Sequence, residues 1–204
     1  MSESLQALCR DRSGVTIVEF ALISGPLLMV TLGGLDLAYQ GYLSSVVKSA
    51  IDDASRRATV ESPNIPGTGA LRDRIKVLVS DQIHDVAPRA TVDVITTTYD
   101  SFSSIKKPEK LTSDTNGNGQ YDPFDGDCFQ DANGNGSYDT DRGRSDSTGY
   151  ANDVVLYSAK VKAKRLFPLA KLIGLGGSFE ITATTAVRNQ PYDTQKTPRT
   201  ICGH

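Results

Sequence analysis

Two short segments in the middle of the chain repeat the same polar pattern. Asp114–Asp122 reads DTNGNGQYD and Asp131–Asp139 reads DANGNGSYD. Calcium takes about six to eight hard oxygen ligands, which a loop supplies from alternate positions with a glycine at the sixth position for the sharp turn. Each repeat has Asp or Asn at its first, third, fifth and ninth positions and Gly at its sixth. The repeats therefore predict one or two calcium sites.

The two copies differ in how completely they fill the ligand positions. In the first copy the predicted ligands are Asp114, Asn116, Asn118, the Gln120 carbonyl, Asp122 and Asp125. In the second copy they are Asp131, Asn133, Asn135, the Ser137 carbonyl and Asp139, whereas Arg142 at the twelfth position cannot be a ligand. These loops resemble the calcium loops of dockerins and thrombospondin type 3 repeats. The alternative is a flexible polar insert, since Asn-Gly is a turn signal by itself.

An apolar run near the N-terminus would position this insert outside a membrane. Residues 14–37 read GVTIVEFALISGPLLMVTLGGLDL, and about 20 apolar residues suffice to cross a hydrocarbon core of about 30 Å. Arg10 and Arg12 precede the run, which favours a cytoplasmic N-terminus. A secretory signal peptide is the alternative, but its apolar core is usually shorter, about 7–15 residues. A carboxylate near the start of the run, Glu19, lies where charge is costly and indicates function.

The residues around Glu19 carry a family resemblance. Gly14 precedes the run and Glu19 is the fifth residue after it, followed by Phe20, which resembles the processing site of Tad-type prepilins. The segment DRSGVTIVEFALISGPLLMVTLGGLDLAYQ resembles the N-terminus of TadE/TadG-like minor pilins, and TTAVRNQPY near the C-terminus is similar to the end of many such proteins. The resemblance implies that a prepilin peptidase cuts the Gly14–Val15 bond. It also implies that Glu19 and Phe20 contact a neighbouring subunit.

The pattern along the chain predicts an α+β, pilin-like fold. We expect a leader over 1–14, a transmembrane helix over 15–37, its amphipathic continuation over 38–60, and a head over 61–204 with the calcium-type insert at 112–149. The head is predicted to have a helix over 70–85, a short helical turn over 167–175, and strands over 91–102, 152–165 and 178–188. The strands would form a small antiparallel sheet packed on the amphipathic part of the first helix.

Three cysteines are informative by position. Cys9 would leave with a leader, whereas Cys128 and Cys202 would both lie beyond the membrane. An even pair in an oxidising compartment predicts a disulfide, here between the insert and the C-terminal tail. Two free thiols or an intermolecular bond are the alternatives. We expect calcium to order an insert that is too polar to fold by burial, with the disulfide fixing it to the sheet.

Composition excludes several classes of function. The net charge is −2, which gives no reason to expect nucleic-acid binding. The sequence has no nucleophile–base arrangement, phosphate-binding loop or zinc spacing, so we predict no enzyme activity and no small-molecule substrate.

The leading hypothesis is a minor pilin in the inner membrane, with its head in the periplasm or extracellular in a pilus. Its partners would be a prepilin peptidase, other Tad pilins, the inner-membrane assembly machinery and lipid. The alternative is a permanently anchored single-pass protein whose calcium-dependent binding head never enters a filament.

Overall fold

The computed structural model describes residues 13–167, 174, 176–191, 194–195 and 197–203. The helices are α1 (Ser13–Ala58) and α2 (Leu71–His84). The strands are β1 (Thr91–Tyr99), β2 (Leu111–Ser113), β3 (Cys128–Asp131), β4 (Arg144–Ser145), β5 (Val154–Lys164), β6 (Ser178–Arg188) and β7 (Arg199–Cys202). The chain divides into two compact units, Met1–Tyr42 with Lys164–Phe179, and Leu43–Ala163 with Glu180–His204.

Helix α1 is continuous over 46 residues and passes through Pro26 without ending. Its first part exposes large apolar side chains, as the predicted membrane segment should. Its last part, within the second unit, buries one face that recurs at helical spacing. That face consists of residues no more than 1% exposed: Leu43, Val47, Ala50, Ile51 and Ala54. The predicted long helix with an amphipathic end is confirmed.

The larger sheet has the order β4-β1-β5-β6. Strands β1 and β5 pair antiparallel from Thr91 opposite Lys162 to Tyr99 opposite Val154. Alternate residues of β5 are buried, including Tyr157, Ala159 and Val161, while the lysines between them are exposed. The three predicted strands are present, and β4 adds a fourth that spans only two residues.

Helix α2 contributes the remaining helical face of the second unit. Ile75, Val79 and Ile83 are fully buried, at the spacing of four that places side chains on one face of a helix. Gln82 donates a hydrogen bond to Asp53 of α1 at 3.4 Å. The helix predicted over 70–85 is confirmed. The helical turn predicted over 167–175 falls mostly on residues outside those described.

A second sheet, with the order β2-β3-β7, was not predicted. Strand β3 pairs antiparallel with β7, so that Cys128 lies opposite Cys202 and Asp131 opposite Arg199. Strand β2 pairs with the other edge of β3. The insert is therefore attached to the C-terminal segment through main-chain hydrogen bonds, and the second repeat begins at the last residue of β3.

Candidate functional site

The first Asn-Gly loop is closed by a ladder of side-chain to backbone hydrogen bonds. The two carboxylate oxygens of Asp114 accept from the N–H groups of Gly117 and Gly119, both at 2.8 Å. The amide oxygen of Asn116 accepts from the N–H of Asn118 at 3.0 Å. The side chain of Asn118 accepts in the same way two residues further on, at 2.6 Å. The backbone of the loop therefore turns around the side chains at the first, third and fifth positions, which accept its N–H groups.

The second loop repeats this ladder position by position. Asp131 accepts from the N–H groups of Gly134 at 2.7 Å and Gly136 at 3.1 Å. Asn133 accepts from the N–H of Asn135 at 3.0 Å, and Asn135 accepts from the residue two further on at 2.7 Å. The sequence repeat is thus a structural repeat of the same local conformation.

Both glycines of each repeat have the left-handed backbone that glycine tolerates best. The φ angles are 71° at Gly117, 76° at Gly119, 81° at Gly134 and 83° at Gly136. The calcium-loop pattern requires glycine only at the sixth position. The structure adds the same reason at the fourth, because the chain turns there as well.

A buried carboxylate outside the repeat fastens the first loop. Asp127 is fully buried, and its two oxygens accept from the N–H groups of Thr115 at 2.8 Å and Asp122 at 2.9 Å. These are the second and ninth positions of the loop. The same two backbone hydrogen bonds lower the pKa of Asp127 below its usual range. Asp127 is therefore a carboxylate that joins the two ends of the loop.

Glu109 has the equivalent place in the second loop. It is 2% exposed, and its oxygens accept from the N–H groups of Ala132 at 2.7 Å and Asp139 at 3.2 Å, again the second and ninth positions. Burial raises the pKa of Glu109, and its backbone hydrogen bonds offset part of that rise. Sequence reasoning missed Glu109 because it belongs to no motif and is separated from the second repeat by the whole of the first repeat.

The predicted ligands meet differently in the two loops. In the first loop Asn116 donates to Asp125, which brings the third and twelfth positions together. Asp122 accepts from the N–H of Phe124 at 2.9 Å and so begins a short 3₁₀ turn.

In the second loop the predicted ligands at the third and fifth positions both contact the ligand at the ninth position. Asn133 and Asn135 both donate to one oxygen of Asp139, at 2.7 and 2.6 Å. Arg142, at the twelfth position, donates instead to the carbonyl of Pro108 at 2.8 Å. The second loop therefore has no ligand of its own at the twelfth position.

The chemistry of the donors suits a hard cation. Among the residues that the structure describes, no three His, Cys, Asp or Glu side chains are grouped so that they could hold a metal ion. The oxygens on offer include Asn amides and backbone carbonyls as well as carboxylates, which is a donor set that calcium accepts. A carboxylate or amide oxygen has two lone pairs, so the oxygens that accept one backbone N–H keep capacity for a cation.

The two loops also share a small aromatic cluster. Tyr121 and Tyr138, at the eighth position of each repeat, stack at 4.8 Å between ring centroids. Both meet the ring of Phe129 edge-on, at 5.0 and 5.5 Å, and Phe129 is 1% exposed. The insert therefore does bury apolar surface, which corrects the expectation that it is too polar to do so. The tyrosine at the eighth position of both repeats is the sequence signal for this cluster.

A disulfide joins Cys128 and Cys202 at the β3–β7 pair. Gly203, the residue after Cys202, donates its N–H to the carbonyl of Asp127 at 2.8 Å. The C-terminal segment is thus bonded to the same stretch of chain that fastens the first loop. Cys9 lies outside the described residues.

The apolar part of α1 presents its side chains outward. Ile17, Phe20 and Val30 are 71–75% exposed, and α1 is the one helix of the described chain that is long and apolar enough to cross a membrane. Glu19 is exposed on this surface. No described residue bonds to its carboxylate. Gly14 lies in the first turn of the helix.

Asp36, near the end of the apolar run, has partners from a distant part of the chain. Its carboxylate accepts from the guanidinium of Arg165 at 2.8 Å and from the N–H of Leu166 at 3.0 Å. Gln40 donates to it as well, at 3.0 Å. Sequence reasoning had no means of finding this cluster, since 129 residues separate Asp36 from Arg165.

These features define a class of protein: an α+β chain whose N-terminal helix is a candidate single membrane span. A family model described as TadE-like protein matches residues 14–56, which begin at Gly14 and cover most of α1. The TadE-like resemblance predicted for the N-terminal segment is thereby confirmed over these residues. No curated protein and no solved structure matches the chain.

Proposed function

We propose that this protein is a non-enzymatic minor pilin, or pseudopilin, of a Tad-type pilus. The observation that carries the proposal is the TadE-like match, which begins at Gly14 and includes Glu19. Under this proposal the head is periplasmic, or extracellular once the protein is in a pilus, where it takes part in assembly or in adhesion at the tip. Its partners are the prepilin peptidase, which cuts between Gly14 and Val15, other Tad pilins and the inner-membrane assembly machinery.

The environment of Glu19 supports a contact between subunits. A carboxylate on an exposed apolar helix face is costly in lipid, about 2.5–3.5 kcal/mol at a helix centre on insertion scales. No described residue of the same chain relieves that cost. A partner from another subunit would do so, and after cleavage the new amine of Val15 in a neighbouring copy has the charge required. Phe20, which is 73% exposed, would lie in the same contact.

Fibre incorporation tests this proposal. Cells that produce the pili would express wild-type protein, Glu19→Ala, or Glu61→Ala, whose carboxylate is exposed beyond the end of α1. We expect the wild type and Glu61→Ala in the sheared pilus fraction, and Glu19→Ala at a normal level in membranes but depleted from that fraction. Wild-type protein absent from the pili, or Glu19→Ala present at the wild-type level, contradicts the proposal.

We infer in addition that calcium binds the two Asn-Gly loops. The support is the repeated ladder of Asp and Asn oxygens around four glycines, and the one buried carboxylate that bonds to both ends of each loop, Asp127 or Glu109. Calcium would supply a positive charge that the Asp and Asn oxygens of a loop could share. Extracellular calcium sites of modest charge bind at about 10⁻⁴–10⁻³ M, so the loops would be filled in a calcium-rich exterior.

Terbium luminescence measures each loop separately. Tyr121 and Tyr138 lie at the eighth positions, close enough to sensitise a terbium ion that replaces calcium. We expect sensitised emission that calcium displaces, and loss of one site each in Asp114→Ala and Asp131→Ala. Asp93→Ala, an exposed carboxylate on β1, is the matched control. Emission that calcium does not displace, or that neither loop variant reduces, rules out the proposed sites.

A second candidate function is a permanently anchored protein whose head binds a partner. One observation favours it: an open cavity of about 400 Å³ lies beside the second loop. Its walls include residues 131–134 of that loop and the side chains of Arg142, Arg144 and Arg199. A permanently anchored protein would retain residues 1–14, whereas a processed pilin would lose them.

A further inference from the structure

Every asparagine that is followed by glycine in this sequence lies in one of the two Asn-Gly loops. The pairs are Asn116–Gly117, Asn118–Gly119, Asn133–Gly134 and Asn135–Gly136. An Asn-Gly pair is chemically prone to deamidation, because glycine has no side chain that keeps its backbone nitrogen away from the preceding side-chain amide. The contacts around each pair therefore decide whether these amides survive.

Deamidation begins at the backbone nitrogen of the glycine. That nitrogen gives up its proton and attacks the side-chain carbonyl carbon of the asparagine, so that a succinimide ring forms. The side-chain nitrogen takes up a proton and leaves as ammonia. Water then opens the ring at either carbonyl, which leaves aspartate or isoaspartate. The reaction thus needs a glycine N–H that can be deprotonated, a polarised carbonyl and a proton for the leaving nitrogen.

The first carboxylate of each loop holds the attacking nitrogens. In the first loop Asp114 accepts the N–H groups of Gly117 and Gly119, one on each oxygen, both at 2.8 Å. Asp131 does the same for the two glycines of the second loop, at 2.7 and 3.1 Å. A hydrogen bond to an ionised acceptor is stronger than one between neutral groups. Removal of the glycine proton would break that bond, so the carboxylate opposes the first step.

The leaving nitrogens are also bonded to carboxylates. Asn116 donates its side-chain N–H to Asp125. Asn133 and Asn135 both donate to Asp139, at 2.7 and 2.6 Å. An ionised carboxylate only accepts hydrogen bonds. Neither Asp125 nor Asp139 can therefore protonate the nitrogen that has to leave.

The carbonyl that is attacked is polarised, in contrast to the other two groups. The side-chain oxygen of each loop asparagine accepts the N–H of the residue two positions further on, at 2.6–3.0 Å. A donor at this oxygen stabilises the negative charge that develops there during attack. The loops thus keep the carbonyl ready to react and withhold the nucleophile, so the protection depends on the carboxylate at the first position.

We propose that Asp114 and Asp131 protect the four Asn-Gly pairs from deamidation, and that these pairs are modification sites that react when a loop opens. Isoaspartate would add a methylene group to the main chain and so change the register of the hydrogen-bond ladder. Aspartate would add a negative charge beside the carboxylates of the loop. The inference depends neither on calcium binding nor on assembly into a pilus.

Peptide mass spectrometry of the full chain after prolonged incubation tests the inference. Wild type, Asp114→Ala and Asp131→Ala are kept in detergent at neutral pH with a chelator, so that calcium has no part in the result. We expect Asp114→Ala to deamidate at Asn116 and Asn118 about tenfold faster than wild type, the effect of losing a hydrogen bond to a charged acceptor. The second loop should be unchanged in that variant, and Asp131→Ala should show the reverse.

Each loop is the internal control for the other, because both are in the same molecule. In variants that keep the wild-type circular dichroism spectrum, equal acceleration in both loops or no acceleration in either overturns the inference. Folded wild type that deamidates as fast as wild type in urea overturns it as well.

A second variant serves if Asp114→Ala does not fold. Asp114→Asn keeps one acceptor oxygen for the two glycine N–H groups. We expect it to deamidate in the first loop at a rate between that of folded wild type and that of the chain in urea. A wild-type rate in Asp114→Asn would show that the carboxylate does not hold the reaction back.

Discussion

Glu109 and Asp127 fasten the two loops from outside the repeats. Each accepts backbone N–H groups from the second and ninth loop positions, so each holds the ends of one loop at a fixed separation. Carboxylates that support the ligands of a metal commonly change its affinity by about 10–100-fold when they are mutated. Mutation of Asp127 should therefore change the calcium affinity of the first loop only, and mutation of Glu109 that of the second loop only.

We predict that Glu109→Gln weakens calcium binding to the second loop by about tenfold and that Asp127→Asn does the same to the first loop. An amide has one oxygen for two N–H donors, so one backbone hydrogen bond is lost in each variant. Calcium displacement of loop-bound terbium measures both affinities. Each variant is the control for the other, and equal weakening of both loops by either one contradicts the assignment.

Tyr99 links pH to stability. Burial, followed by the hydrogen bond to Asp141, raises the pKa of Tyr99 from 10.0 to about 12. The folded state therefore favours the neutral phenol. The contribution of Tyr99 to stability is fully present below pH 10 and is lost as the pH rises from 10 towards 12.

We predict that the free energy of unfolding of the wild type falls more steeply between pH 10 and 12 than that of Tyr99→Phe. Urea unfolding at a series of pH values gives both slopes. Tyr42→Phe, at a site 59% exposed, should follow the wild type. Equal slopes in wild type and Tyr99→Phe would mean that Tyr99 ionises at its ordinary pKa.

At the scale of elements, the second sheet depends on a covalent bond as well as on pairing. The disulfide between Cys128 and Cys202 spans 74 residues of sequence. Strands β2, β3 and β7 are three to four residues long, which is short for an independent sheet. Closing a chain segment of this length is worth about 4 kcal/mol in the chain-entropy account.

We predict that Cys128→Ala with Cys202→Ala lowers the free energy of unfolding by about 2–5 kcal/mol. The loss should be accompanied by faster amide exchange in β3 and β7 than in β1 and β5. Asp93→Ala, which changes an exposed residue of β1 and leaves the disulfide intact, is the control. Exchange that is unchanged in β3 and β7 would show that the small sheet does not need the bond.

The elements that the sequence predicted share a long and regular pattern. Helix α2, the last part of α1 and strands β1 and β5 each repeat a buried side chain over several turns or alternations, so the period is visible without the structure. Strand β6 alternates fully exposed with less exposed residues from Ser178 to Thr184. Strand β4 has two residues and β2 has three, and two or three residues have no period. Their pairing is decided by partners far away in the chain.

The residues of the candidate sites likewise divide into those held by local hydrogen bonds and those held by tertiary contacts. The loop residues were predictable because the ladder is local, with each side chain bonded two to five residues ahead. Glu109, the Asp36–Arg165 pair and the Tyr121–Tyr138 stack depend on tertiary contacts, which a single sequence does not show. Binding of calcium to the loops stays a prediction.

At the scale of the whole molecule, stability should depend on calcium. A ligand that binds only the folded state stabilises it by an amount set by its concentration relative to Kd. With Kd at about 10⁻⁴–10⁻³ M, calcium at about 10 mM would contribute about 1.4–2.7 kcal/mol for each loop. Thermal unfolding of wild type in calcium and in a chelator measures the sum. Asp114→Ala combined with Asp131→Ala should remove the difference, and a difference that persists contradicts calcium binding by these loops.

The processing of the N-terminus decides between a pilin and a permanent anchor. Outside the adjacent residues and the backbone of the helix itself, a Cβ added at Gly14 or at Gly34 would meet no atom within 4 Å, so Gly14→Val and Gly34→Val are a matched pair within α1. The variant at Gly14 changes the proposed cleavage site, and the variant at Gly34 changes the same helix elsewhere. Only the first should alter the mature chain if the peptidase recognises this glycine.

The most direct measurement is therefore the N-terminus of the protein purified from membranes, by intact mass and N-terminal peptide analysis, with and without the prepilin peptidase. We predict a chain that begins at Val15 only when the peptidase is present, in wild type and Gly34→Val but not in Gly14→Val. A wild-type chain that retains residues 1–14 in the presence of the peptidase would contradict pseudopilin processing and favour the permanently anchored protein.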